Sequence, residues 1–156
     1  MMRNERLKLI IPAIVILLTV VMIFSASLQT ADASRAQSGF VKGKLDLICS
    51  VLFDADYDDI FPEVRKVAHF AEFALLGAEC AVFCALNKMK TVRSAFIGIT
   101  VAVCDEALQL TSDGRAGSIK DVLLDLSGFA TGVLFVMLCT LLIGLYKNYR
   151  REKNGE

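Results

Sequence analysis

The chain has one histidine, no tryptophan, two prolines and, among five cysteines, no Cys-x-x-Cys pair. The absent cysteine pairs remove the usual zinc and dithiol readings. Cys80, Cys84, Cys104 and Cys139 sit inside apolar runs, where a free thiol behaves as a small apolar group. Cys49 lies apart without an obvious partner, so no disulfide is expected. A lone histidine cannot build a paired Glu-x-x-His site; His69 and Glu72 show that spacing once, in reversed order. A calcium loop also fails. Asp54, Asp56 and Asp58 begin like one, but Asp59 stands where glycine is required and Arg65 where a bidentate glutamate is required. A solvated acidic turn is the better account, and no metal or cofactor is expected. Formal net charge is zero, and no nucleic-acid partner is expected.

What the chain does have is apolar length. Of its 156 residues, 55% are hydrophobic. They gather in runs at 7–28, 64–86, 94–110 and 119–146, each near the ~20 residues that cross a bilayer as a helix. Backbone amides in lipid must be satisfied within their own segment, so helices are the form expected. The reading is an all-α, four-span transmembrane bundle forming one domain; buried helices of a soluble bundle are the alternative. Arg3, Arg6 and Lys8 precede the first run, Lys88, Lys90 and Arg93 link the second to the third, and Lys147, Arg150, Arg151 and Lys153 follow the fourth. By the positive-inside rule both termini and the 87–93 link are cytoplasmic.

The first run ends in FSASLQTADAS, whose Ala31-Asp32-Ala33 resembles a signal-peptidase site. Its apolar part is long for a signal peptide, so it reads as a retained anchor. From Asp32 to Phe53 the apolar residues Val41, Leu45, Ile48 and Leu52 share one helical face. That stretch is too polar to span and reads as an interfacial helix in the first extracellular loop. Gly128 and Gly132 stand in GxxxG spacing, which suits close packing within the chain better than dimerisation.

Polar groups at membrane depth carry the functional reading. Ionisable residues inside spans are costly and mark sites by default. His69 and Glu72 lie roughly 9 and 13 Å below Glu63, and Asp105 about 16 Å above Ser94, at ~1.5 Å of rise per residue. Glu106 and Gln109 continue the third span, Arg115 lies in the polar turn after it, and Asp121 and Asp125 open the fourth. These eight residues, His69, Glu72, Asp105, Glu106, Gln109, Arg115, Asp121 and Asp125, share the outer half of the bilayer and form the candidate ligand-binding set. A cleft for a polar head group explains them best. A hydrolase or transferase centre, with His69 or a carboxylate as acid or base, comes second, and a purely structural set of pairs remains open.

The segments FSASLQ (24–29), SRAQSG (34–39), RKVAHFAEFALLG (65–77) and DEALQLTSDGRAGSIKDVLLDLSGFATG (105–132) together resemble the VanZ-like family, small integral membrane proteins of mainly Gram-positive bacteria. Phe73 replaces that family's usual tyrosine, Asp113 stands where proline is favoured, and Asp125 stands where many members have asparagine. The resemblance implies a cell-envelope role in the bacterial cytoplasmic membrane. The family's namesake is associated with low-level resistance to teicoplanin, a lipoglycopeptide. The resemblance thus points to a lipid-linked cell-wall precursor or a lipoglycopeptide as the partner, beside the lipid bilayer itself.

Overall fold

The apolar runs all become helix. The computed structural model describes residues 2–53, 57–60, 63–113 and 117–154. Its helices are α1 (Met2–Ser27), α2 (Ala31–Phe53), the single turn α3 (Tyr57–Ile60), α4 (Val64–Leu86), α5 (Val92–Gln109) and α6 (Ile119–Asn154). No strand occurs among the described residues. The acidic turn at 54–56, Pro62 and Arg115 lie outside them.

Among the described residues, three stretches are long and apolar enough to cross a membrane: Arg6–Ser27, Val64–Leu86 and Ile119–Lys153. The third predicted run forms the 18-residue α5, which carries Arg93, Asp105 and Glu106 and falls short of the other three on composition. Large apolar side chains face outward along α1 and α6, among them Leu17, Leu18, Leu134, Phe135 and Leu141. Contiguous exposed apolar surface of that extent suits lipid, not water. Helix α6 runs past Tyr146, its predicted end, because the following polar residues are mostly good helix formers.

Helix α2 confirms the helical part of the amphipathic reading. Its apolar face is mostly uncovered, however: Leu45 is half-buried, Val41, Ile48 and Leu52 are exposed, and Cys49 is the buried member. Among the described residues, helix α2 packs mainly on α3 and α4, too little surface to bury that face.

Helices α1 and α4 run antiparallel. Ser27 meets α5 at one end, while the Asn87 side chain lies 3.5 Å from the Lys8 carbonyl at the other. The largest interface joins α4 and α6, which run parallel. Its closeness comes from glycine. A Cβ on Gly128 or Gly132 would collide with the carbonyl oxygens of Phe70 or Ala74, and one on Gly77 with that of Phe129. The GxxxG pair therefore packs within the chain, as its spacing suggested. Ile23, Phe73, Leu76, Cys80, Val101, Ala102 and Phe129 form the core between α1, α4, α5 and α6.

The α4–α5 turn ends α4 in a Schellman arrangement. Met89 N–H donates to the Cys84 carbonyl (2.8 Å) and Lys88 N–H to that of Ala85 (3.3 Å). Lys88 occupies the left-handed position with φ 53°, where a Cβ costs about 1 kcal/mol. Lys88→Gly is expected to raise stability by about 0.5–1 kcal/mol, read as a higher melting temperature in detergent. A lower one would contradict this account of the turn.

Candidate functional site

Four helix ends meet at the end of the bundle opposite the α4–α5 turn. The last residue of α1, the first turns of α4, the last turns of α5 and the first turns of α6 bring in Ser27, Arg65, His69, Glu72, Asp105, Glu106, Gln109, Asp121 and Asp125.

Asp105 is the centre and is 0% exposed. Ser27 Oγ donates to its Oδ1 at 2.6 Å, and Gln109 Nε2, one helical turn on, donates to its Oδ2 at 2.9 Å. The other end of the same amide accepts from the Arg65 guanidinium. Gln109 therefore links a cation to a buried carboxylate, each end of the amide facing the partner it can bond. His69 Nδ1 lies 3.9 Å from Asp105 Oδ2 and 3.8 Å from Glu72 Oε2, its neighbour three residues along α4. Both contacts exceed hydrogen-bond length, so Nδ1 lies between two carboxylates at ion-pair distance from each.

Glu106 works at the start of α6. Its Oε1 accepts from the Ser118 backbone N–H, and Ser118 Oγ in turn accepts from Lys120 N–H at 3.2 Å. Helix N-termini leave N–H groups without internal partners and carry partial positive charge, which a carboxylate offsets. Asp121 stands in the same first turn. Asp125, one turn deeper, is 2% exposed, and its buried Oδ2 makes no hydrogen bond among the described residues. A ring nitrogen of His69 and carboxylate oxygens of Asp105 and Asp125 all lie within 4.8 Å of one another. Sequence spacing assigned no metal ligands, because these three residues come from three helices; the fold assembles a set that could hold a cation.

A cavity of about 470 Å³ opens here between α4, α5 and α6, bordered by Arg65, Lys66, His69, Gln109, Lys120, Asp121 and Asp125. A second, of about 440 Å³, lies between α1, α2 and α4 and includes Met22, Gln29, Val41, Val64 and Glu72. Arg65 and His69 border both.

Of the eight residues predicted, His69, Gln109, Asp121 and Asp125 line the first cavity and Glu72 the second. Asp105 and Glu106 are buried and hold the lining residues and the α6 N-terminus in place. Arg115 lies outside the described residues. Ser27, Arg65 and Ser118 were not predicted as site residues. Ser27 and Arg65 do fall within the FSASLQ and RKVAHFAEFALLG segments, which was the available signal. A further unforeseen contact lies deeper, where Thr19 Oγ1 donates to Glu79 Oε1 at 2.9 Å and ties α1 to α4.

A family model described as VanZ/LLP1 matches residues 12–142, from early α1 to well into α6. No curated protein and no solved structure is found to match the chain. The family match takes in all the helix ends that build the Asp105 cluster, and the chain belongs to the VanZ/LLP1 family.

Proposed function

We propose that this protein binds the polar head group of an amphiphilic envelope molecule in an outward-facing cleft. The partner is a lipid-linked cell-wall precursor or a lipoglycopeptide of the teicoplanin type, and its capture contributes to teicoplanin resistance. The protein is a multi-pass protein of the bacterial cytoplasmic membrane with both termini cytoplasmic, as its basic flanks favour. Helix α5 also crosses the bilayer, third in chain order, which brings the spans to four. Its Asp105 and Glu106 are turned into the bundle while Phe96, Ile99 and Val103 face outward, so lipid meets few of its ionisable groups. Helix α2 lies along the outer surface, where Phe40, Leu47 and Val51, all exposed, can enter the headgroup region.

One observation carries the binding role: two neighbouring cavities share Arg65 and His69, the first rimmed by charges of both signs and the second holding Met22, Val41 and Val64. An amphiphile needs that pairing, with hydrogen-bonding groups for its head beside apolar surface for its chain. Purified protein in detergent is expected to bind teicoplanin or a lipid-linked precursor saturably, without turnover. Arg65→Ala should weaken binding by about tenfold or more, the value of one charge-assisted hydrogen bond. Overexpression should lower susceptibility to teicoplanin and deletion raise it. Absence of saturable binding to either compound would end this reading.

A membrane-embedded hydrolase or transferase is the second reading, favoured by His69 lying beside Asp105 and Glu72, where a carboxylate can orient an imidazole for proton transfer. It requires product to form from a lipid-linked substrate, which the same purified protein would reveal.

A further inference from the structure

Three carboxylates, Glu72, Asp105 and Asp125, surround a single imidazole at the floor of the cleft. Among the described residues, the Arg65 guanidinium connects to this group through the Gln109 amide. Acidic side chains buried together at membrane depth are neutralised either by protons or by positive charge close by. His69 supplies at most one. Asp125 Oδ2 adds a second, independent sign: it is a buried acceptor without a hydrogen bond among the described residues, on a side chain 2% exposed, and it faces His69 and Asp105.

We propose that His69, Asp105 and Asp125 form a binding site for one divalent transition-metal ion of the zinc or manganese kind. The donor types fit. One imidazole nitrogen with two carboxylates suits Zn²⁺ or Mn²⁺ better than Mg²⁺ or Ca²⁺, which prefer oxygen alone. The spacing is close to what coordination needs: the donor atoms lie within 4.8 Å of one another, and bonds of ~2.0–2.2 Å place ligands about 3–3.5 Å apart. Side-chain rotations that bring the three inward by about 1 Å close the set. Outer partners are in place as well. Ser27 and Gln109 each donate one hydrogen bond to Asp105, fixing its plane while leaving lone pairs on both oxygens. Three protein ligands leave coordination positions open toward the cavity. A phosphate or carboxylate on an incoming head group can complete the shell there.

The ion site deepens the cleft reading and, in that completing step, rests on it; occupancy by the ion alone does not. Full-length protein in detergent, stripped with EDTA and repurified, is titrated calorimetrically with ZnCl₂ and with MnCl₂. One ion should bind per chain. Asp125→Asn and His69→Ala should each weaken it by more than about 100-fold, beyond the loss typical of an outer-shell partner. No saturable binding by the unaltered protein, or undiminished binding in both variants, overturns the assignment. If the variants fail to fold, X-ray absorption on the zinc-loaded unaltered protein decides. One imidazole nitrogen with oxygen ligands supports the site, and thiolate sulfur or a shell of water alone overturns it. Teicoplanin binding measured on the stripped protein tests the cleft separately, so each idea can fail without the other.

Discussion

Replacing Gly132 with valine is expected to abolish the folded bundle. A Cβ at this position would overlap the carbonyl oxygen of Ala74 and come within 2.8 Å of the Ala78 nitrogen. Both are backbone atoms inside a helix, so no side-chain rotation relieves the clash, and α4 and α6 must separate. Theirs is the largest interface in the molecule. In lipid, helix association rests on close van der Waals contact and hydrogen bonds, because tails solvate apolar faces as well as leucine does. The loss should therefore reach about 3 kcal/mol or more, the upper range for overpacking. The two layers built on this interface would go with it: the Phe73 and Phe129 core, and the meeting of His69 with Asp125. Thermal melting in detergent and yield of monodisperse protein measure the effect. Gly144→Val, where nothing lies within 4 Å of a new Cβ, should change stability by less than about 0.5 kcal/mol. Equal stability of the two variants would refute the close-packing account.

Asp105→Ala should be nearly as damaging, for a different reason. It strips the acceptor from the Ser27 hydroxyl and the Gln109 amide at once. Each orphaned donor costs about 1–3 kcal/mol when buried. Arg65 also loses the relay that holds its Gln109 partner in place. Asp105→Asn separates structure from function. Its amide keeps the shape and one acceptor oxygen, so most of the folded yield should survive, while the charge facing His69 disappears. The alanine variant should fail in yield and melting temperature. The asparagine variant should fold and then fail in ion or head-group binding. If Asp105→Ala melts with the unaltered protein and binds normally, Asp105 is not the centre of the site.

How far the chain could be read in advance follows from which residues speak locally. The runs 64–86 and 119–146 became α4 and most of α6 because apolar length in lipid admits one backbone solution. GxxxG spacing on α6 announced a close helix contact, but not that Phe70 and Ala74 of α4 would supply the other side. The polar set was legible as a depth: His69, Glu72, Asp105 and Asp125 fall at one level by counting residues along alternating helices. Its internal order was not. Gln109 bonding both Arg65 and Asp105, Ser27 capping Asp105, and Glu106 serving the α6 N-terminus depend on helix rotation about the long axis. Depth counting carries no information on rotation.

Helix α2 marks the same boundary from the other side. The face formed by Val41, Leu45, Ile48 and Leu52 correctly implied a helix, yet the fold leaves most of it open and buries Cys49 instead. Amphipathicity says that a face needs cover without saying what provides it.

Helical content, the extent of α4 and the level of the polar groups were written in the amino-acid order, since each depends on neighbours a few residues away. Which carboxylate lies against which nitrogen, and that His69, Asp105 and Asp125 converge from three separate helices, came from the packing of α4 on α6 and of α5 beside them. Side chains 36 and 56 positions beyond His69 become its neighbours only after those rods take a particular rotation, and glycine backbones touching carbonyls set that rotation.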